Sequence, residues 1–100
     1  MPVVADPEGV SAEIIQDFYD FSGRQVLEIG CGKGRITFAI AEKSRLVNAI
    51  DPVDESIQTA QENTPDHLKG KINFIASGIE QFDPPADPAK FDIALFSWSL

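Results

Sequence analysis

Apolar residues along this chain come in short, nearly unbroken runs, which are separated by segments with helical spacing. Runs of this length that are apolar at most positions, rather than at every second one, are typical of strands buried on both faces of a sheet. Each run ends at glycine, proline or polar residues, which end strands. The pattern predicts four strands, at Gln25–Ile29, Leu46–Ile50, Lys71–Ala76 and Phe91–Ser97.

Helical spacing occurs before the first predicted strand and again after the first and second strands. Residues 9–20 place apolar groups on one face and acidic groups outward, which predicts an amphipathic helix. The later helices are indicated by Ile36, Ala39 and Ile40, and by Ile57 and Ala60 behind a possible cap at Asp54. Strands that alternate with helices indicate an α/β fold with a doubly wound, parallel sheet.

Composition narrows the function classes. The chain has 100 residues, with eight Lys and Arg against sixteen Asp and Glu, and a net charge of -8. This balance works against binding to nucleic acid or to an anionic membrane. The single cysteine, Cys31, excludes an intrachain disulfide and leaves no zinc-site spacing. No apolar run approaches the roughly 18 residues of a membrane span. We therefore expect a cytoplasmic protein without a metal, nucleic-acid or membrane partner.

Three alternating glycines, Gly30, Gly32 and Gly34, follow the first predicted strand directly. Glycines here let the backbone turn tightly and approach a ligand closely, near the amides of the next helix. Asp51 ends the next strand, twenty-one residues after Gly30, where a carboxylate can accept hydrogen bonds from two ribose hydroxyls. The alternative to a ligand-binding turn is a tight turn that binds nothing. The position of Asp51 favours the ligand-binding turn.

The kind of nucleoside ligand depends on two neighbouring residues. In the dinucleotide pattern G-x-G-x-x-G, the third glycine falls at the position of Arg35, so that pattern fails here. Glu28 places an acidic group at the end of the first strand, where it would repel a pyrophosphate and attract a cationic ligand. A nicotinamide-dependent oxidoreductase is therefore disfavoured.

With these residues the chain resembles the class I S-adenosylmethionine-dependent methyltransferases. Their first motif has the form acidic-x-Gly-x-Gly-x-Gly, and here it reads Glu28-Ile29-Gly30-Cys31-Gly32-Lys33-Gly34. The resemblance continues through Asp51-Pro52 and through residues 72–82 and 91–100. It implies a Rossmann-like parallel sheet with the strand order 3-2-1-4 and S-adenosylmethionine as the cofactor.

The resemblance also implies a role for each matching residue. Glu28 and the backbone of the three glycines would face the methionine portion, with Cys31 between them as a small filler, and Asp51 would hold the ribose hydroxyls. Pro52 or Val53 would lie beside the adenine, while Ser97 and Trp98 would approach the sulfonium from the other side. The family often has an Asp for the adenine amino group where this chain has other residues, so the remaining adenine contacts fall to Ser77, Gly78 and Ile79.

The chain ends inside an apolar segment at Leu100. The resemblance implies that residues 1–100 are the first half of a domain, formed by the helix at 9–20 and four strand units, with the C-terminal half missing. The fourth strand is then predicted to be an unprotected edge, through which the chain could form a homodimer. Catalytic residues are expected beyond Leu100, so this chain alone could hold the cofactor and lack turnover.

Methyl transfer to a small-molecule acceptor is the function that this resemblance implies. Some family members that methylate amino groups of nucleic acids or proteins end the fourth strand in Asn or Asp, two prolines and an aromatic residue. Residues 97–100 read Ser-Trp-Ser-Leu instead. A non-catalytic nucleoside-binding or interaction module with the same fold is the alternative, supported by the missing adenine carboxylate.

Overall fold

The computed structural model describes residues 3–6, 20–78 and 91–97. Its strands form one parallel sheet in the order β1-β5-β2-β3-β4. The strands are β1 (Val3–Asp6), β2 (Gln25–Ile29), β3 (Leu46–Asp51), β4 (Ile72–Ala76) and β5 (Ile93–Ser97). The described helices are α1 (Arg35–Ala41), α2 (Asp54–Glu62) and a 3-10 turn at Asp66–Leu68.

The four strands predicted from apolar runs are β2, β3, β4 and β5, and their order is the expected 3-2-1-4. The last of them begins at Ile93, two residues later than predicted. Asp92, just before this strand, connects the start of β5 to the start of β2. Its side chain accepts a hydrogen bond from the Gln25 N–H at 2.9 Å, and its own N–H donates to the Gln25 carbonyl at 2.8 Å. The fold class is thus confirmed.

The prediction that the fourth of these strands has an unprotected edge is wrong. β1 pairs with β5 in parallel, in a register that runs from Val3 opposite Ala94 to Asp6 opposite Ser97. This pairing satisfies backbone groups on the outer side of β5, which a bare edge leaves open to another chain. The homodimer expected through that edge therefore loses its structural basis.

Both faces of the sheet bury apolar side chains. Side chains alternate between faces along a strand, and α1 and α2 pack on the face that carries Val26, Val47, Ala49, Ile93 and Leu95. On the opposite face, Leu27, Ile50 and Ala94 are also buried. The helix predicted at 9–20 lies, except for Asp20, outside the described residues. No helix in the described ranges has the length and apolar character needed to cross a membrane.

Candidate functional site

The turn between β2 and α1 lies at the carboxyl edge of the sheet and contains the three alternating glycines. All three have positive φ, at 82° for Gly30, 56° for Gly32 and 91° for Gly34, a region that favours glycine. The N–H groups of Gly30 and Cys31 both donate to the Ile50 carbonyl, at 2.8 and 3.1 Å. These bonds hold the start of the turn against the end of β3.

Gly30 also packs directly against the end of β5. A β-carbon at this position would lie 2.2 Å from the Ser97 carbonyl oxygen, which is far inside van der Waals contact. Both the positive φ of residue 30 and the nearby backbone of Ser97 therefore favour glycine at this position. The sequence predicted that Ser97 and the glycines belong to one site, and the structure brings them together.

Asp51 is the last residue of β3 and is 7% exposed. Its Oδ2 accepts the Gly32 N–H at 3.0 Å, and its Oδ1 accepts the Val53 N–H at 2.9 Å. A carboxylate has about four lone-pair positions, so each oxygen can accept one further hydrogen bond. The side chain thus fixes the glycine turn and can still receive two neighbouring hydroxyls, as a ribose would present them.

Glu28 is fully buried, and its carboxylate joins three elements. Oε2 accepts a hydrogen bond from the Ser97 hydroxyl at 2.7 Å, and Oε1 accepts one from the Thr37 hydroxyl. These bonds connect β2 with the end of β5 and with the first turn of α1. The expectation that Glu28 faces the methionine portion stays a prediction, since in the structure the carboxylate has no surface open to solvent.

Thr37 was not among the residues predicted for the site. It lies on the buried side of α1 beside Ile36 and Ile40, where an apolar residue would be usual. A hydroxyl on the apolar stripe of a helix that follows a glycine turn is the signal that could have identified it. Its hydroxyl donates to Glu28, which is itself buried.

Cys31 lies between two of the glycines and is 5% exposed. Burial raises the pKa of its thiol, and the nearby carboxylates of Glu28 and Asp51 raise that pKa further. The thiol therefore stays protonated at neutral pH and is a poor nucleophile. This agrees with the interpretation of Cys31 as a small filler beside two carboxylates.

The residues expected around the adenine lie next to Asp51. Pro52 and Val53 are exposed, and Val53 leaves half of its surface open to solvent. The Ser77 N–H donates to the Asp51 carbonyl at 2.9 Å, and its hydroxyl donates to the Gly78 carbonyl at 2.9 Å. The edge beside Asp51 therefore offers the exposed apolar surface of Pro52 and Val53 to a flat ring. Two predicted residues, Ile79 and Trp98, fall outside the described residues.

Within residues 3–6, 20–78 and 91–97, no three His, Cys, Asp or Glu side chains lie close enough to hold a metal ion. The described residues of the site include backbone groups, hydroxyls and two carboxylates.

Comparison with known proteins gives a family match over most of the chain. Residues 20–100 match a family model described as a methyltransferase domain. A magnesium-protoporphyrin O-methyltransferase from Rhodobacter capsulatus is 32% identical over 83 residues, which are 81% of this chain and 34% of the relative. A ubiquinone biosynthesis O-methyltransferase from Rickettsia conorii is 34% identical over 74 residues, which are 74% of this chain and 25% of the relative.

A similar solved structure is phosphoethanolamine N-methyltransferase 1 from Haemonchus contortus, in complex with phosphoethanolamine and S-adenosylhomocysteine. It superimposes with a TM-score of 0.75 and 26% identity, over 88% of this chain and 18% of that chain. The present chain therefore spans at most about a third of the length of these three proteins.

Proposed function

The chain belongs to the class I S-adenosylmethionine-dependent methyltransferases, and we propose that it supplies the cofactor-binding half of an enzyme that methylates a small-molecule acceptor. S-adenosylmethionine is the cofactor of this family, and it supplies a methyl group on a positively charged sulfur. The observation that carries the proposal is the Asp51 carboxylate, which is bonded to the glycine turn and keeps acceptor capacity for two hydroxyls.

The residues at the carboxyl edge support this proposal. Asp51 would hold the ribose hydroxyls, and Pro52 and Val53 would support the adenine. The glycine turn lets the backbone approach the ligand without side chains in the way. Methyl transfer to a prepared nucleophile depends largely on holding the reactants in line, so these residues bind and orient, and the chain needs no dedicated acid or base to do so.

Two observations favour a small-molecule acceptor. The relatives from Rhodobacter and Rickettsia are named for a porphyrin and for ubiquinone biosynthesis. The net charge of -8 disfavours an extended contact with nucleic acid, because such binding relies on Lys and Arg. A small-molecule acceptor is therefore part of the proposed function. The cytoplasmic location stays a prediction.

Asp51→Ala tests the cofactor site. Charge-assisted hydrogen bonds contribute about 1.5 to 3 kcal/mol each, so we expect the dissociation constant for S-adenosylhomocysteine to rise at least about tenfold. Isothermal titration calorimetry measures it. Asp54→Ala is the matched control, since Asp54 is exposed at the start of α2 and should leave the affinity unchanged.

An unchanged affinity in Asp51→Ala would contradict the assignment, as would tighter binding of NAD than of S-adenosylhomocysteine by the parent chain. Because Asp51 also supports the glycine turn, the urea midpoint of each variant is measured alongside. Asp51→Asn keeps one carbonyl acceptor, so its dissociation constant for S-adenosylhomocysteine should lie between those of the parent and of Asp51→Ala.

A non-catalytic nucleoside-binding module is the second candidate. It is favoured by Ser77 and Gly78, which stand where the family often has a carboxylate for the adenine. Transfer of a radiolabelled methyl group into a mixture of metabolites separates the two candidates. The test requires the chain together with the remainder of its domain, since the chain spans at most about a third of its relatives.

A further inference from the structure

β4 forms one end of the described sheet, with β3 on one side and no described strand on the other. The Lys71 carbonyl, just before β4, accepts a hydrogen bond from the Val47 N–H at 2.8 Å. The Ser77 N–H, just after β4, donates to the Asp51 carbonyl at 2.9 Å. Successive residues of a strand point their backbone groups to opposite sides. The odd-numbered residues of this segment therefore bond to β3, and the even-numbered ones face away from the sheet.

The outward-facing residues of β4 are Ile72, Phe74 and Ala76. Within residues 3–6, 20–78 and 91–97, no hydrogen bond reaches their backbone N–H and C=O groups. Natural sheets commonly protect such an edge with charged side chains or proline. The segment Ile72–Ala76 has neither, and Ala76 is exposed. The edge is therefore open to pairing with a further strand.

The surroundings of this edge lack the acidic side chains that are frequent in the rest of the chain. Residues 67–79 contain no Asp or Glu, although the whole chain has sixteen. A groove of about 510 Å³ lies between the end of α2 and β4, and its polar lining consists of Gln61, Thr64, Lys69 and Asn73. Two copies of a chain with a net charge of -8 repel each other. This repulsion is weaker where the facing surfaces carry no carboxylate.

We propose that two copies of this chain associate through β4, with the two strands antiparallel about a two-fold axis beside Phe74. In this register Phe74 faces Phe74 of the partner subunit, and Ile72 faces Ala76 of the partner subunit. The outward-facing residues of one copy then meet those of the other. A facing pair of this kind exchanges two backbone hydrogen bonds, so the three pairs form about six bonds.

The side chains of β4 suit this self-pairing. Lys71 would face Ser77 of the partner subunit, so no like charges lie directly opposite each other. Ile72 and Phe74 pack against the core on the helix-covered face. Because the two-fold axis is perpendicular to the sheet, this apolar face continues into the second copy. Antiparallel pairing also points the carboxyl edges of the two sheets in opposite directions, which leaves both glycine turns away from the partner.

Sedimentation and amide exchange of the full chain test the proposal. Stable interfaces bury roughly 1,200 to 2,000 Å², which a pair of short strands does not approach, so we expect a weak dimer. Its weight-average mass should rise from 10.9 kDa toward twice that value between about 10 and 1,000 μM. When about nine-tenths of the chain is dimeric, the amides of Ile72, Phe74 and Ala76 should exchange about tenfold more slowly. The amides of Asn73 and Ile75 should not change, since they already bond to β3.

Ala76→Pro removes an outward N–H and places a proline ring at the edge. Proline is tolerated on an edge strand where its N–H would face solvent, so the single chain should keep its fold. Each copy loses one bond to its partner, and we expect the dissociation constant of the dimer to rise at least about tenfold. Ala76→Val is the matched control, because it keeps the N–H and suits a strand. It should associate at least as strongly as the parent chain.

Three results would overturn the proposal. The first is a parent chain that stays monomeric over the whole concentration range, whether its outward amides exchange rapidly or are covered by another segment. The second is an Ala76→Pro variant that associates as strongly as the parent chain. The third is a dimer in which the amides of Ile72, Phe74 and Ala76 exchange as in the monomer. If far-ultraviolet circular dichroism shows that Ala76→Pro does not fold, the exchange pattern of the parent chain decides.

Discussion

Gly30 is the residue at which the local backbone leaves least freedom. Its φ of +82° costs a residue with a β-carbon about 1 to 2 kcal/mol. That β-carbon would also meet the Ser97 carbonyl oxygen at 2.2 Å, and a backbone atom of a central strand cannot move aside easily. Overpacking of this kind costs about 1 to 3 kcal/mol. We expect Gly30→Ala to lower the free energy of unfolding by about 2 to 5 kcal/mol, measured by urea denaturation.

Gly23→Ala separates the two contributions to this loss. Gly23 also has a positive φ, at +67°, but nothing lies within 4 Å of where its β-carbon would be. It should therefore lose only the conformational part, about 1 to 2 kcal/mol. Equal losses in the two variants would mean that a β-carbon at position 30 meets no steric cost against the end of β5.

At the residue scale, the part of the site that could be predicted is the part that local sequence determines. The glycines and Asp51 are placed by the ends of β2 and β3, so their meeting follows from the strand pattern. The burial of Glu28 could not be predicted in this way. It depends on Thr37, which α1 turns toward the sheet, and on Ser97, which is 69 residues away in sequence.

At the scale of the elements, the protection of the β5 edge by β1 can be tested directly. It is four residues long and pairs only with β5 in the sheet order. Removing residues 1–6 would expose the outer backbone groups of β5, and such edges pair readily with another chain. We expect the shortened chain to associate more strongly than the parent chain, as measured by analytical ultracentrifugation over a range of concentrations.

Removal of residues 1–2 alone is the control, because it leaves β1 intact. It should match the parent chain in sedimentation and in far-ultraviolet circular dichroism. A chain without residues 1–6 that associates no more strongly than the parent chain and is equally stable would show that β1 does not protect the edge of β5.

The position of most strands can be predicted from the sequence, whereas their order and the strand β1 cannot. The runs at β2, β3 and β4 have apolar patterns that identify a strand without reference to its neighbours. The strand order came from the family resemblance, because pairing is a long-range property. β1 was missed for the same reason, since a four-residue segment becomes a strand through its partner β5, about 90 residues further along the chain.

At the scale of the whole molecule, the net charge of -8 opposes the compact state. Self-repulsion of like charges destabilises folded chains, and added salt screens it. Salt also weakens ion pairs, but the pair of Lys69 with Asp66 in the described ranges has both side chains more than half exposed, as has the contact of His67 with Glu42. Pairs of this kind contribute about 0 to 1 kcal/mol each, so the relief of repulsion should dominate.

We therefore expect the free energy of unfolding at pH 7 to rise by roughly 1 kcal/mol when sodium chloride is raised from about 20 to 300 mM. Urea denaturation at each salt concentration measures it. The same salt step near the isoelectric point of about 4.4 should have a much smaller effect, because the net charge is then close to zero. A loss of stability with salt at pH 7 would mean that local ion pairs outweigh the repulsion of the acidic surface. A gain of the same size at both pH values would point to salt effects on apolar burial, which do not depend on net charge.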